Sequence, residues 1–271
     1  MSGRVRPAAV AGTFYPGSPG ALRSTVEGLL AEAPPRNGAA KPPKAPKAII
    51  APHAGYLYSG PIAASAFQAL AVPSRPISRV VILGPAHFVP IRGLALPGSE
   101  YFETPLGRVK VDPEGAGAVL RLPQVRVYPD AHVREHSLEV EIPFLQVLLG
   151  EGFSVVPLVV GEADGEEVAD VLERLWFEDD TVFVISSDLS HYLPYDEARR
   201  MDRMTADEIL NLSGPLHPRQ ACGAMPINGL LEAARRRGLA PELLDLRNSA
   251  DTAGDPGRVV GYGAFAFHEG S

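Results

Sequence analysis

Five short, unbroken apolar runs constrain this chain more than any other feature. They are "KAIIAP" (47–52), "RVVILGP" (79–85), "FSVVPLVVG" (153–161), "TVFVISS" (181–187) and "GYGAFAF" (261–267). Each has the length of a strand, and most do not alternate polar with apolar as a half-wet strand does. Such runs belong to strands covered on both faces. Stretches of helical period lie before and between them, at about 20–33, 60–71, 138–149, 165–176, 195–211 and 226–237. Strands that alternate with helices of this length predict an α/β layered sandwich, with a central, mostly parallel or mixed sheet flanked by helices. "LGRVKVDP" and "LLDLRNS" read as shorter edge strands. The 271 residues, 45% of them hydrophobic, suit one domain over 1–271 with a sizeable core. The proline- and lysine-rich segment 34–46 reads as an exposed loop inside that domain.

Charge and cysteine content narrow the function classes. The formal net charge is −7 and the isoelectric point is near 5.5. Nucleic acid and anionic membranes reward clustered positive charge, so neither is expected as a partner. The one basic run, Arg235-Arg236-Arg237, closes a helical pattern and complements a helix C-terminus. Cys222 is the single cysteine, which excludes an intrachain disulfide and fits a reducing, cytoplasmic setting. No apolar run is long enough to span a bilayer.

The ends of the strands carry the chemistry. "AIIAP" ends at His53, "VVILGPA" at His87, and "VFVISS" at Asp188, which leads to His191. In open α/β sheets, ligands bind beyond the carboxyl ends of the strands, where side chains distant in sequence converge. Pro52 with Gly55, and Gly84 with Pro85, are expected to turn the chain there. A lone histidine at a strand end is commonly a cap or a core residue with one hydrogen bond. Three polar endings on the best strands make coincidence a weaker explanation. Two imidazoles and one anionic ligand can hold a divalent ion and leave positions open for substrate. Asp188 or Cys222 could be the third ligand. Cys222 lies just before a helical pattern, a place that lowers a thiol pKa. The alternative is a small buried hydrophobe.

Other motifs compete less well. "HVREH" (132–136) has the H-x-x-E-H form of one zinc-protease class, which needs both histidines on one helical face. Ser137 reads as an N-cap with the helix beginning after His136, which leaves His132 in a loop. Glu135 and His136 are then candidates to line the same crevice, along with Tyr56. "GYGAFA" matches a dinucleotide fingerprint but sits in a strand pattern with no helix behind it.

In order, the motifs "AGTFYP", "APHAGYLYSG", "LGPAHFVP", "REHSLEVEIPFL", "SSDLSHY", "ACGAMPI" and "RVVGYGAFAF" resemble the Memo family, over about Arg6 to Phe267. Its prokaryotic members are called AmmeMemoRadiSam system protein B. The family is similar to class III extradiol ring-cleaving dioxygenases, non-haem iron enzymes of α/β fold. The resemblance implies that His53, His87 and Cys222 hold a metal, with Asp188 and His191 beside it as catalytic groups. It implies a proton-transfer role for His191. The dioxygenases have glutamate where this chain has Cys222, and that departure sets ordinary dioxygenase activity in question. A thiolate suits copper or zinc as well as iron. The family association also implies radical SAM and AMMECR-type proteins as partners. The expected function is a metal-dependent redox enzyme, using iron or copper on a small-molecule or peptide substrate. The alternatives are a non-catalytic metal- or peptide-binding module and a zinc-dependent hydrolase.

Overall fold

Strands apolar on both sides are stable only in the middle of a sheet with cover above and below. The computed structural model, which describes residues 3–34, 45–71, 76–176 and 180–270, places them there. The chain begins with β1 (Val5–Arg6), α1 (Pro19–Glu32), β2 (Ala48–Ala51), α2 (Tyr56–Gln68) and β3 (Arg79–Pro85). Short elements follow: β4 (Leu94–Leu96), β5 (Tyr101–Thr104), β6 (Gly107–Val111), α3 (Pro113–Val119), β7 (Val125–Val127) and α4 (Asp130–Val133). A 3-10 turn at Glu139–Glu141 leads into α5 (Ile142–Leu149), β8 (Ser154–Val160), α6 (Gly165–Arg174) and β9 (Thr181–Ser186). The chain closes with β10 (His191–Leu193), α7 (Tyr195–Leu210), α8 (Ala224–Arg237), β11 (Ala240–Asn248) and β12 (Val259–His268), with a second 3-10 turn at Ser249–Asp251.

All the strands join one mixed sheet, whose main path runs β1-β5-β6-β8-β3-β9-β2-β12-β10. Its centre, β8-β3-β9-β2, is parallel, and β12 closes it antiparallel to β2. Side chains of these strands alternate between two cores. Ala48, Ile50, Val81, Leu83, Phe183 and Ile185 face α6, α7 and α8. Ile49, Ala51, Val80, Ile82, Val182 and Val184 face α1, α2 and α5. This two-sided cover is why the runs carry no polar period. No helix among the described residues is long and apolar enough to cross a membrane.

Several local expectations need correction. Strand β6 lies between β5 and β8 and is not an edge strand. Helix α2 begins at Tyr56, not near 60, because the Tyr56 N–H is already satisfied by Phe14 O at 2.8 Å. Gly84 and Pro85 do not turn the chain; both pair within β3. His132 lies in the short helix α4, not in a loop. Ser137 is not an N-cap: its hydroxyl donates to Pro85 O at 3.0 Å, and regular α-helix starts only at Ile142. Of the Pro/Lys segment 34–46, residues 35–44 lie outside the described residues.

Candidate metal centre

In the sheet, β3, β9 and β2 are neighbours and run parallel, so their carboxyl ends open on one side. His53 follows β2, His87 follows β3, and Asp188 follows β9. His136 arrives from the loop between α4 and the first 3-10 turn. One ring nitrogen from each of His53, His87 and His136 lies within 4.8 Å of the others. The His87 and His136 rings stack at 4.7 Å between centroids, and both meet His53 edge-on, at 5.2 and 5.5 Å. Accessibility is graded: His53 is buried, His136 intermediate and His87 exposed. The cluster therefore has a closed floor and a wet rim.

Hydrogen bonds fix how each ring is presented. His87 Nδ1 lies 2.8 Å from Glu135 Oε1 and donates to it, which turns Nε2 inward. Glu135 also accepts from the backbone N–H groups of His87, His136 and Ser137 at 2.6, 2.9 and 3.0 Å. Burial pushes its carboxyl up, but the His87 ring and these N–H groups outweigh that and hold it at about 2. His53 Nδ1 meets Ser186 Oγ at 2.7 Å, and its backbone N–H donates to Asp188 Oδ1 at 2.8 Å. Burial, then repulsion from His87, lowers the His53 imidazole to about 3. Burial, then His53 and His87, lowers His136 to about 4. At neutral pH both rings are uncharged and keep a lone pair.

Cys222 Sγ sits 3.4 Å from His53 Nε2. It touches the cluster at that ring and lies outside the three-histidine grouping. Its thiol was expected to be acidified by the start of α8. Burial, with the charge of Asp188 next, pushes it up instead, well beyond the usual thiol range. Gly223 caps α8 and its N–H donates to Ser187 Oγ at 2.9 Å; the pull of this N–H and of Ser187 on the sulfur is outweighed by burial. Asp188 is buried, and burial raises its carboxyl against the opposing pull of His191 and the His53 N–H. His191 Nδ1 donates to Leu189 O at 2.8 Å, which leaves Nε2 available. The Tyr56 hydroxyl donates to Val140 O at 2.7 Å, and its ring packs on Tyr15 and Phe144.

The H-x-x-E-H motif splits. His132 Nε2 donates to Ala95 O at 2.8 Å, while His136 joins the cluster. Helix α4 ends at Val133, before His136, so the two histidines share no helical face. Sequence reasoning also passed over the residues that build the far wall. Phe14 packs on the His136 ring at 4.7 Å. Its segment is pinned by Glu139, which pairs with Arg6 and accepts from Tyr15 Oη and from Ala9 and Val10 N–H groups. The available signal was a pair of acids, Glu139 and Glu141, inside an otherwise apolar stretch; both are fully buried.

Neutral imidazoles whose far nitrogens are occupied by hydrogen bonds are what a metal requires of its ligands. His53 meets that condition, the Nδ1 of His87 is likewise held by Glu135, and His136 and Cys222 offer further donors within reach. The fold and this cluster define an α/β protein with a candidate metal centre at the strand ends. The Memo-like protein family model matches residues 6–266. A MEMO1 family protein of Methanopyrus kandleri is 36% identical over 98% of this chain and 99% of its own length. MEMO1 family proteins of Aquifex aeolicus and Aeropyrum pernix are 37% and 38% identical over 96% of this chain, covering 97% and 99% of theirs. The chain belongs to the Memo family.

Proposed function

We propose that this protein is a metal-dependent redox enzyme, with iron or copper held by His53, His87 and a further donor, Cys222 or His136. The supporting observation is the approach of three ring nitrogens to within 4.8 Å, with a thiol 3.4 Å from one of them. Such an ion, when bound, supplies a Lewis acid or one-electron partner with positions open for substrate. The remaining work falls to the chain. His191 Nε2 takes or gives a proton, with Nδ1 anchored on Leu189 O. Asp188 fixes the backbone at His53 and carries charge toward His191. Glu135 holds His87 and the loop of His136 together. The exposed rim at His87 is the side from which a small molecule or peptide enters. Radical SAM and AMMECR-type partners and a cytoplasmic location belong to the same proposal.

The test is metal analysis of untagged protein produced with iron or copper supplied, with oxygen uptake followed alongside. Stoichiometric metal that is lost in His53→Ala supports the reading; protein that stays metal-free and binds neither ion defeats it. The three-imidazole grouping favours a second reading, zinc-assisted hydrolysis, since three histidines are a known catalytic zinc set. Zinc-dependent turnover with no oxygen consumption would select it.

A further inference from the structure

The Ser186 hydroxyl has three polar neighbours. His53 Nδ1 is 2.7 Å away, Ser137 O is 2.6 Å away, and Glu141 Oε1 is 2.7 Å away. A hydroxyl carries one proton and two lone pairs, so three partners allow it one donation and two acceptances. Ser137 O is a carbonyl oxygen and can only accept. The Ser186 proton therefore points at Ser137 O, and both other partners must donate. His53 then carries its proton on Nδ1, and Glu141 carries one on Oε1. An ionised Glu141 would claim the Ser186 proton and leave two oxygens facing each other at 2.6 Å with nothing between them.

The surroundings of Glu141 agree with this proton count. The residue is fully buried, and Oε2 has no hydrogen-bond partner among the described residues. A bare acid carbonyl is far cheaper to bury than a bare carboxylate oxygen. No described ion pair reaches Glu141. Burial above all pushes its carboxyl well above the usual range, opposed by the contact with Ser186 and helped by the charge of Asp188. On the other side of the ring, His53 Nε2 faces Cys222 Sγ at 3.4 Å, where a thiol S–H can donate to a lone pair.

We propose that Glu141 is a neutral, hydrogen-bond-donating positioning residue. Through Ser186 it locks His53 in the Nδ1–H tautomer and so presents Nε2 to the centre. Its purpose rests on the metal reading above, but its protons do not, so the two can be tested apart. The relay explains why a carboxyl is buried with no ion pair among the described residues: a carboxylic acid can donate to Ser186, and a carboxylate cannot.

The experiment uses the metal-free full chain at neutral pH. Imidazole 15N shifts report which nitrogen of His53 is protonated, and infrared difference spectra against Glu141→Gln report whether residue 141 is an acid. The expected result is Nδ1–H at His53 and a carboxylic acid carbonyl band that Glu141→Gln removes. Glutamine still donates through its amide, so that variant keeps the tautomer and near-native zinc affinity. Ser186→Ala breaks the relay, mixes the tautomers and weakens zinc binding about 10–100-fold. His53 protonated on Nε2 in the native chain, or no acid band lost in Glu141→Gln, would overturn the proposal. If Ser186→Ala does not fold, the native chain and Glu141→Gln decide alone. The expected tautomer and acid band in a protein that takes up no metal would uphold this inference while defeating the metal reading.

Discussion

Glu135 shows how much one side chain can organise. Its two oxygens, themselves nearly dry, accept from the His87 ring and from three backbone N–H groups. Glu135→Ala strands those donors, each worth about 1–3 kcal/mol when left unpaired. Urea unfolding is expected to show a loss of about 3 kcal/mol or more, and zinc titration about 10–100-fold weaker binding. Unchanged values on both would mean that the loop of His136 is held some other way. His132 offers a cleaner pH test, because it lies off the centre. Burial, against a bond to Ala95 O, lowers its pKa from 6.5 to about 4. The folded state thus resists a proton that the unfolded chain accepts. The stability this gives is complete above pH 6.5 and drains away as pH falls toward about 4. The stability gap between the native chain and His132→Gln should therefore narrow across that window, by up to about 1.4 kcal/mol per pH unit. A gap that stays flat on acidification would contradict the assignment. His53 and His87 were legible in the sequence because a strand that ends on imidazole is chemically odd. His136 read only as crevice lining, since nothing in a loop tells which way a ring turns. Ser186 and Glu141 were not legible, because their roles exist only when β9 and the 3-10 turn meet.

Two glycines set how closely the elements around the centre approach. A Cβ on Gly84 in β3 would lie 2.7 Å from Ser137 Oγ and 2.9 Å from its Cβ. A Cβ on Gly223, ahead of α8, would lie 2.6 Å from Ser187 Cβ and 2.8 Å from Ser186 O. Both neighbours are well-tied segments, so neither can yield cheaply. Gly84→Ala and Gly223→Ala should each cost about 1–3 kcal/mol through overpacking. The first displaces His136 and the second Cys222, so both should also weaken metal binding. Gly28, on the exposed side of α1 with nothing within 4 Å, is the control. There alanine should stabilise by about 0.5–1 kcal/mol, since it restores helix propensity without a clash. Melting curves that rank the three variants otherwise would show that approach distance is not what these positions serve. The existence of the main strands and helices was readable from period. Their ends were less so, because Tyr56 begins α2 on a bond to Phe14, a residue more than forty positions earlier.

Taken whole, the molecule is a sheet whose parallel centre, β8-β3-β9-β2, aims three loop starts at one place. That convergence follows from strands buried on both faces, and so from the apolar runs with which the sequence can be parsed. The edge strand expected at "LLDLRNS" is β11, which among the described residues pairs with β12 alone; the small strands were harder to foresee, β4 joining antiparallel to β8 and β7 parallel to β4. Their register depends on tertiary partners, not on local pattern. The N-terminal segment likewise reads as mere turns until Arg6 and Tyr15 find the buried Glu139. The centre itself is best tested by anomalous scattering from crystals grown without oxygen, measured at the iron, copper and zinc edges. One peak bonded by the imidazoles of His53 and His87, and by His136 or Cys222, is the predicted result. Maps with no peak between those rings at any of the three edges, after soaking in each metal, would contradict it.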